Sequence, residues 1–380
     1  DKKVAIFVGA HKPFTESEKK AIDSFCATNN AVVFCDHTSG YNGKYRVNYA
    51  LVCCQRYHTS PQTKIDILIH IGEVSGNSYG LILHPKEVWR VSPDGELRDT
   101  FRKLTYVFEM KEERFFNIYN QNEPQDDSYL QQCKKEYTLT LKAMPELPFG
   151  NAWIAQQIHD KLPMNSTIHF GILNSLRSWN FFELDPSIKS NCNVGGFGID
   201  GGVSSLVGAT LAEPSRLHFG VFGDLAFFYD MNVVGNRHIG NNIRILLVNN
   251  GKGAEFRLFS HPCSPFGEAA DLYMAAAGHY GNKSPQLVKH YAEDLGYKYI
   301  TASSKEEFIN VCKIWLDSDN IKQPIIFEVF TESKNESNSL EMITTYIVDD
   351  SVKTKLKIKN ALDRLGGEKV VNLVRKVTKQ

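Results

Sequence analysis

Short apolar runs rich in β-branched and aromatic residues recur along the chain, at 4–8, 31–35, 67–71, 87–91, 168–172, 218–222, 243–248, 297–301 and 324–330. Runs of this length without polar alternation predict strands buried on both faces, as in parallel sheets. Most close in glycine or a polar residue. Helical apolar spacing follows several of them, at 16–29, 151–162 and 227–238; Pro148 precedes the second of these helices and Pro163 ends it. Strand–turn–helix alternation predicts an α/β fold of two parallel-sheet domains with helices on both faces. Between the two groups of runs the segment 117–135 (NIYNQNEPQDDSYLQQCKK) loses apolar periodicity and reads as a linker. The expected organisation is a central α/β domain over 1–125, a linker over 126–147, a second domain over 148–335 and a tail over 336–380. From Val352 the tail is lysine-rich with interspersed apolar residues, broken by Gly366-Gly367. Such a basic amphipathic segment either packs on its own domain or makes a peripheral contact with an anionic membrane or a partner.

Composition narrows the function classes. A 380-residue chain can bury two cores, and 43 basic against 43 acidic residues give no global attraction to nucleic acid. No apolar run has the length of a membrane-spanning helix. The eight cysteines are scattered without CxxC pairs, which leads us to expect a reducing, cytoplasmic setting.

The chemistry gathers where strands end. The run 218–222 closes in Gly223-Asp224, and 243–248 in Asn249-Asn250-Gly251-Lys252-Gly253. In doubly wound sheets, ligands sit beyond the carboxyl ends of strands. One carboxylate, one amide oxygen and a glycine-rich backbone form a hard-oxygen set suited to Mg²⁺, which completes its octahedron with phosphate oxygens and water. The run 168–172 is followed by Asn174-Ser175-Leu176, polar groups again at a strand end. Residues 196–201 formally match GxGxxG, but a dinucleotide site is not expected, because no βαβ unit with a ribose-binding acid is seen to follow. Glycines there, Gly198 among them, suit close approach of backbone to a bulky cofactor, with Asp200 and a helix start set against it. The first half has no such motif and is expected to carry no cofactor of its own. The loop 255–267 (EFRLFSHPCSPFG) is expected to cover the site, with Glu255 and Arg257 able to read substrate charge. His279, in AAAGHYG, is a candidate proton-transfer group by its near-neutral titration, the alternative being a structural histidine.

Gly223-Asp224 followed, one helix and one strand later, by Asn249-Asn250 resembles the signature of thiamine-diphosphate-dependent enzymes. The resemblance implies that Asp224, Asn250 and the carbonyl of Lys252 hold Mg²⁺ on the cofactor diphosphate. Leu225 departs from the commonest Gly-Asp-Gly form. The menaquinone-pathway branch, the 2-succinyl-5-enolpyruvyl-6-hydroxy-3-cyclohexene-1-carboxylate synthases, is similar in having Gly-Asp-Leu followed by Tyr-Asp-x-Asn, here Tyr229 to Asn232. It also has Gly-Ile-Asp-Gly, here Gly198 to Gly201, which implies that Ile199 props the cofactor into its bent form. Cofactor contacts are thereby implied for Asn174, Ser175 and Leu176, for Gly198, Ile199 and Asp200, and for Gly223, Asp224, Leu225, Asn250 and Lys252. The implied activity is decarboxylation or carboligation of a 2-oxo acid. Two arginines that hold substrate carboxylates in that branch fall on Trp179 and Val194 here, with Arg177 near the first, so the resemblance does not carry the substrate over. The glutamate that protonates the cofactor's aminopyrimidine comes, in the family, from an N-terminal pyrimidine-binding domain; the resemblance covers about residues 1–335 and does not include it. With Asp1 rather than Met at the start, we expect part of a longer polypeptide or a subunit taking that domain in trans, in a homodimer or homotetramer. A non-catalytic scaffold keeping the fold is the alternative.

Overall fold

The structure, a computed structural model, describes residues 2–353 apart from 75, 77, 121–122, 125, 275, 277, 280–283, 320–321 and 351. Among the described residues twelve strands form two six-stranded sheets. The first holds β1 (Val4–Val8), β2 (Val32–Cys35), β3 (Arg46–Val47), β4 (Lys64–Ile71), β5 (His84–Ser92) and β6 (Leu104–Glu109), in the order β3-β2-β1-β4-β5-β6. The second holds β7 (Thr167–Phe170), β8 (Lys189–Cys192), β9 (His218–Gly223), β10 (Ile243–Asn249), β11 (Lys298–Ala302) and β12 (Ile325–Phe330), in the order β11-β12-β10-β9-β7-β8. Every pairing between these strands is parallel, and every residue of β2, β7 and β10 is buried, as expected of strands covered by helices on both faces. The α/β architecture is the one the apolar runs predict.

The strands that the runs did not reveal are β3, β6 and β8, and all three lie at a sheet edge. β3 is two residues long and β8 reads Lys-Ser-Asn-Cys, so neither makes an apolar run; β6, Leu-Thr-Tyr-Val-Phe-Glu, does carry one and was missed in the sequence. With β8 in place, the glycine turn lies between that strand and the helix Gly202–Ala212, which leads on to β9, a crossover that the apolar runs did not reveal. β7 separates β8 from β9 in the sheet.

Two boundaries also move. Where the polar segment read as a linker, a helix runs over Ser128–Lys142. Tyr129, Leu130 and Cys133 enter the first core, while Tyr137 and Leu141 pack against the second. Spaced three to four apart among glutamines and lysines, they form a narrow apolar stripe that average polarity conceals. The helix Ser333–Thr345 likewise buries Leu340 and Ile343 in the second core, so 336–345 belongs to that domain and not to a tail. The lysine-rich segment from 354 lies outside the described residues. Among the described residues no helix is long and apolar enough to cross a membrane.

After that helix the chain returns to the first domain, where Val348 bridges Tyr57 and the Asp349 amide donates to the Tyr57 carbonyl at 3.0 Å. His58 stands between Asp349 (2.6 Å) and Glu136 (3.1 Å). Burial disfavours its charge, but the Asp349 and Glu136 carboxylates outweigh burial and its pKa is raised. A folded pKa raised above the unfolded value stabilises the fold below about pH 6.5, and that contribution is lost as pH rises through the raised value. Protection of the Asp349 amide against hydrogen exchange, corrected for intrinsic rate, should therefore fall as pH rises above about 6.5. His58→Asn should abolish that dependence.

Candidate cofactor and metal site

β9 and β10 are neighbours, with Gly223 opposite Val248, so Asp224 and the turn after Asn249 emerge side by side. Asp224 is 2% exposed and opens the helix Asp224–Asp230. Its Oδ1 accepts from the Leu225 amide at 2.7 Å, and its Oδ2 from the Gly251 amide at 2.6 Å. Gly251 has φ of +82°, a left-handed conformation that glycine adopts without a Cβ penalty, and this presents its amide to the carboxylate. Asn250 Oδ1 accepts from the Lys252 amide at 3.3 Å, and the Lys252 ammonium is held by Asp271 at 3.0 Å. Arg257 pairs with the same Asp271.

A cavity of about 240 Å³ opens at this junction. Gly223, Asp224, Leu225, Asn250 and Lys252 line it from the ends of β9 and β10. Asn174 and Ser175 reach it from the segment after β7, Ile199 from the glycine turn and Glu255 from the following loop. Leu176 is buried in the second core instead, while Gly198 and Asp200 are exposed on the glycine turn outside the lining. His279 does not line the cavity. Its Nε2–H donates to Asp224 Oδ2 at 3.0 Å, and its ring lies against Phe228 with centroids 4.6 Å apart. Glu255 is clamped by Arg177 through two bonds of 2.8 and 3.1 Å.

No protein-family model matches the chain. Its sequence is similar to the 2-succinyl-5-enolpyruvyl-6-hydroxy-3-cyclohexene-1-carboxylate synthase of Bacteroides fragilis, 30% identical over 263 residues that cover 68% of this chain and 45% of the synthase. The synthase of Bacteroides thetaiotaomicron is 30% identical over 259 residues, covering 68% and 44%. That of Christiangramia forsetii is 34% identical over 191 residues, covering 50% and 31%. The chain belongs to the thiamine-diphosphate-dependent enzyme family. It spans less than half the length of these curated relatives.

The residues present fit the family's cofactor and its metal. Among the described residues no group of three or more His, Cys, Asp or Glu is placed to hold an ion. The donor set at the two strand ends is instead one carboxylate, one amide oxygen and backbone carbonyls, a set for Mg²⁺ that keeps several non-protein oxygens. Asn151 and Asn174 both line the cavity, and the Oδ1 atoms of both are buried without a partner among the described residues. Buried amide groups without partners are uncommon and mark a place where a ligand completes the network.

Two further acids belong to this region, and neither stood in a motif. Glu336, 1% exposed, accepts from the Asn151 amide at 3.1 Å, Asn174 Nδ2 at 2.9 Å and Thr331 Oγ1 at 3.2 Å. Gly150 permits this approach, since a Cβ there would stand 3.1 Å from Glu336 Oε1. Glu328, also 1% exposed, accepts from Asn249 Nδ2 and from the Tyr299 hydroxyl. Burial raises the pKa of both, the hydrogen bonds oppose this, and the nearby Asp224 charge adds to the rise. Partners of the three buried carboxylates among the described residues are amides, hydroxyls and one imidazole, so a divalent cation at Asp224 would relieve an unfavourable concentration of negative charge. Both acids have a legible signal: Glu328 is a lone charge in an apolar run, and Glu336 shares a helix face with Leu340 and Ile343.

Proposed function

We propose that this chain is the diphosphate- and Mg²⁺-binding part of a thiamine-diphosphate-dependent decarboxylase or carboligase acting on a 2-oxo acid, completed by a pyrimidine-binding domain in cis or in trans. The observation carrying this reading is the 2.6 Å bond from the Gly251 amide to Asp224, which joins both halves of the motif in one cavity wall. When bound, the cofactor supplies a nucleophilic carbon and an electron sink for the substrate carbonyl. Asp224, Asn250 and the Lys252 carbonyl would hold Mg²⁺ against its diphosphate. Ile172, Leu225, Val248 and Phe256 keep water from the cavity, and Ile199 gives an apolar support at its edge. Phe197 and Tyr229, 48% and 64% exposed on the segments that carry Ile199 and Asp224, offer apolar surface for a covering domain.

The substrate is read as different from that of the synthases. Trp179 and Val194 are 0% and 7% exposed in the second core and present no cation to a ligand. Arg177, the nearest replacement, is satisfied by the bidentate Glu255 carboxylate, a geometry in which the guanidinium has little left to offer a substrate acid. Glu255→Gln should free it and improve the ratio of kcat/KM for dicarboxylic over monocarboxylic 2-oxo acids by about tenfold, the worth of ~1.4 kcal/mol. The test of the activity itself is CO₂ release from a panel of 2-oxo acids with a pyrimidine-binding domain supplied. Turnover requiring both Mg²⁺ and thiamine diphosphate is expected. Cofactor binding with no turnover of any 2-oxo acid would favour a scaffold that has kept the fold.

A further inference from the structure

Glu328 sits inside β12, between β10 and β11. Its two oxygens serve different strands: Oε2 accepts from the Tyr299 hydroxyl of β11 at 2.7 Å, and Oε1 from Asn249 Nδ2 of β10 at 2.8 Å. Asn249 is the first residue of the Asn-Asn pair, the one that the metal-ligand assignment leaves without a task. Held by Glu328 at its nitrogen, it turns Oδ1 to the Gly251 amide at 3.3 Å, the same amide that donates to Asp224 at 2.6 Å. One chain of hydrogen bonds therefore crosses the sheet from β11 through β12 and β10 to Asp224, the residue that follows β9.

A buried carboxylate is a costly way to satisfy one tyrosine and one amide, and a core position among Ile326, Phe327 and Val329 would accept an apolar side chain. An acid suits the place for a specific reason. It has acceptors only, so it fixes which end of the Asn249 amide faces it and which faces Gly251. A neutral amide or hydroxyl at 328 would leave that choice open.

We infer that Glu328 is a positioning residue for the metal-binding turn, fixing Asn249 so that the Gly251 amide meets Asp224 and Asn250 and Lys252 face the cavity. This rests on the diphosphate and Mg²⁺ reading above, and the test separates the two. In the cofactor-free chain, hydrogen exchange at the Gly251 amide should accelerate in Glu328→Ala and in Asn249→Ala, and by a smaller amount in Glu328→Gln, which keeps an acceptor for Asn249 but no longer fixes which end of its amide faces Gly251. In titrations with thiamine diphosphate and Mg²⁺, each alanine variant should raise the Kd by ~10–100-fold, the usual cost of losing an outer-sphere partner at a metal site. The double variant should be little worse than either single one, since both break one chain. Should Glu328→Ala fail to fold, Asn249→Ala and Tyr299→Phe carry the comparison, with a smaller loss expected for the latter. Unchanged Gly251 exchange and unchanged Kd in a variant that merely melts earlier would overturn the inference, as would additive effects of the two alanines. Failure of the wild-type chain to bind the cofactor would instead strike the functional reading, leaving the positioning role to the exchange result.

Discussion

Asp224→Ala is expected to abolish the rise in melting temperature that thiamine diphosphate with Mg²⁺ gives the wild-type chain. Loss of an outer-sphere partner already costs ~10–100-fold in metal affinity, so removal of the only carboxylate in the donor set should cost at least ~100-fold. A ligand at a hundred times its Kd stabilises the fold by ~2.7 kcal/mol, and weakening it by that factor brings this close to ~0.4 kcal/mol. The cofactor-free fold should suffer less. Alanine removes the 2.6 Å acceptor of the Gly251 amide but leaves it Asn249 Oδ1 at 3.3 Å, so the loss should fall at the low end of the ~1–3 kcal/mol of an unsatisfied donor, and alanine also removes a buried charge that raises the pKa of Glu328 and Glu336. Asp224→Asn separates the two effects. Its amide oxygen still accepts from Gly251 while the Leu225 amide loses its acceptor, so stability without cofactor should fall by no more than ~1–3 kcal/mol while the Mg²⁺-dependent shift is lost entirely.

Glu336→Ala should have the largest effect on stability. It strands the Asn151 amide and Asn174 Nδ2, both otherwise satisfied by one carboxylate in the interior. An unsatisfied buried donor costs ~1–3 kcal/mol, which puts the loss at ~2–5 kcal/mol in urea unfolding. Glu336→Gln, keeping one acceptor oxygen, should lose less. The penalty should also depend on pH with a definite sign. Burial raises the folded-state pKa of Glu336, so its contribution is fully present below the ordinary glutamate value of about 4.3 and declines as pH rises through the raised value. The gap between wild type and the alanine variant should therefore narrow from acid toward neutral pH, while the gap to alanine shown by the glutamine variant should not.

Central strands and the polar strand ends that meet at the cavity were legible in the sequence for the same reason. Strands buried on both faces must be continuously apolar, so the polar residues closing β9 and β10 stand out against them. Short polar edges and bridging elements were not legible, although the edge strand β11 was. β8 is a polar edge strand, and the helix Ser128–Lys142 shows each domain only a narrow stripe, so neither produces an apolar run. Glu328 and Glu336 stand out as acids at apolar positions, but their role was missed, because one-dimensional spacing does not show that Asn249 or Asn151 will need a partner. The arrangement of Glu255 was half visible. Its place in a covering loop could be read, but its bidentate bond to Arg177 joins elements 78 positions apart. His279 was singled out for proton transfer and is found on the Asp224 carboxylate, a contact that only the folded loop creates.

The central claim is that two strand ends form a seat for a magnesium diphosphate, and calorimetric titration of thiamine diphosphate into the chain tests it most directly. With Mg²⁺ present and a pyrimidine-binding domain supplied, the account predicts saturable uptake that disappears when the metal is chelated. Uptake that is equally strong without a divalent ion, or none at all with one, would contradict it.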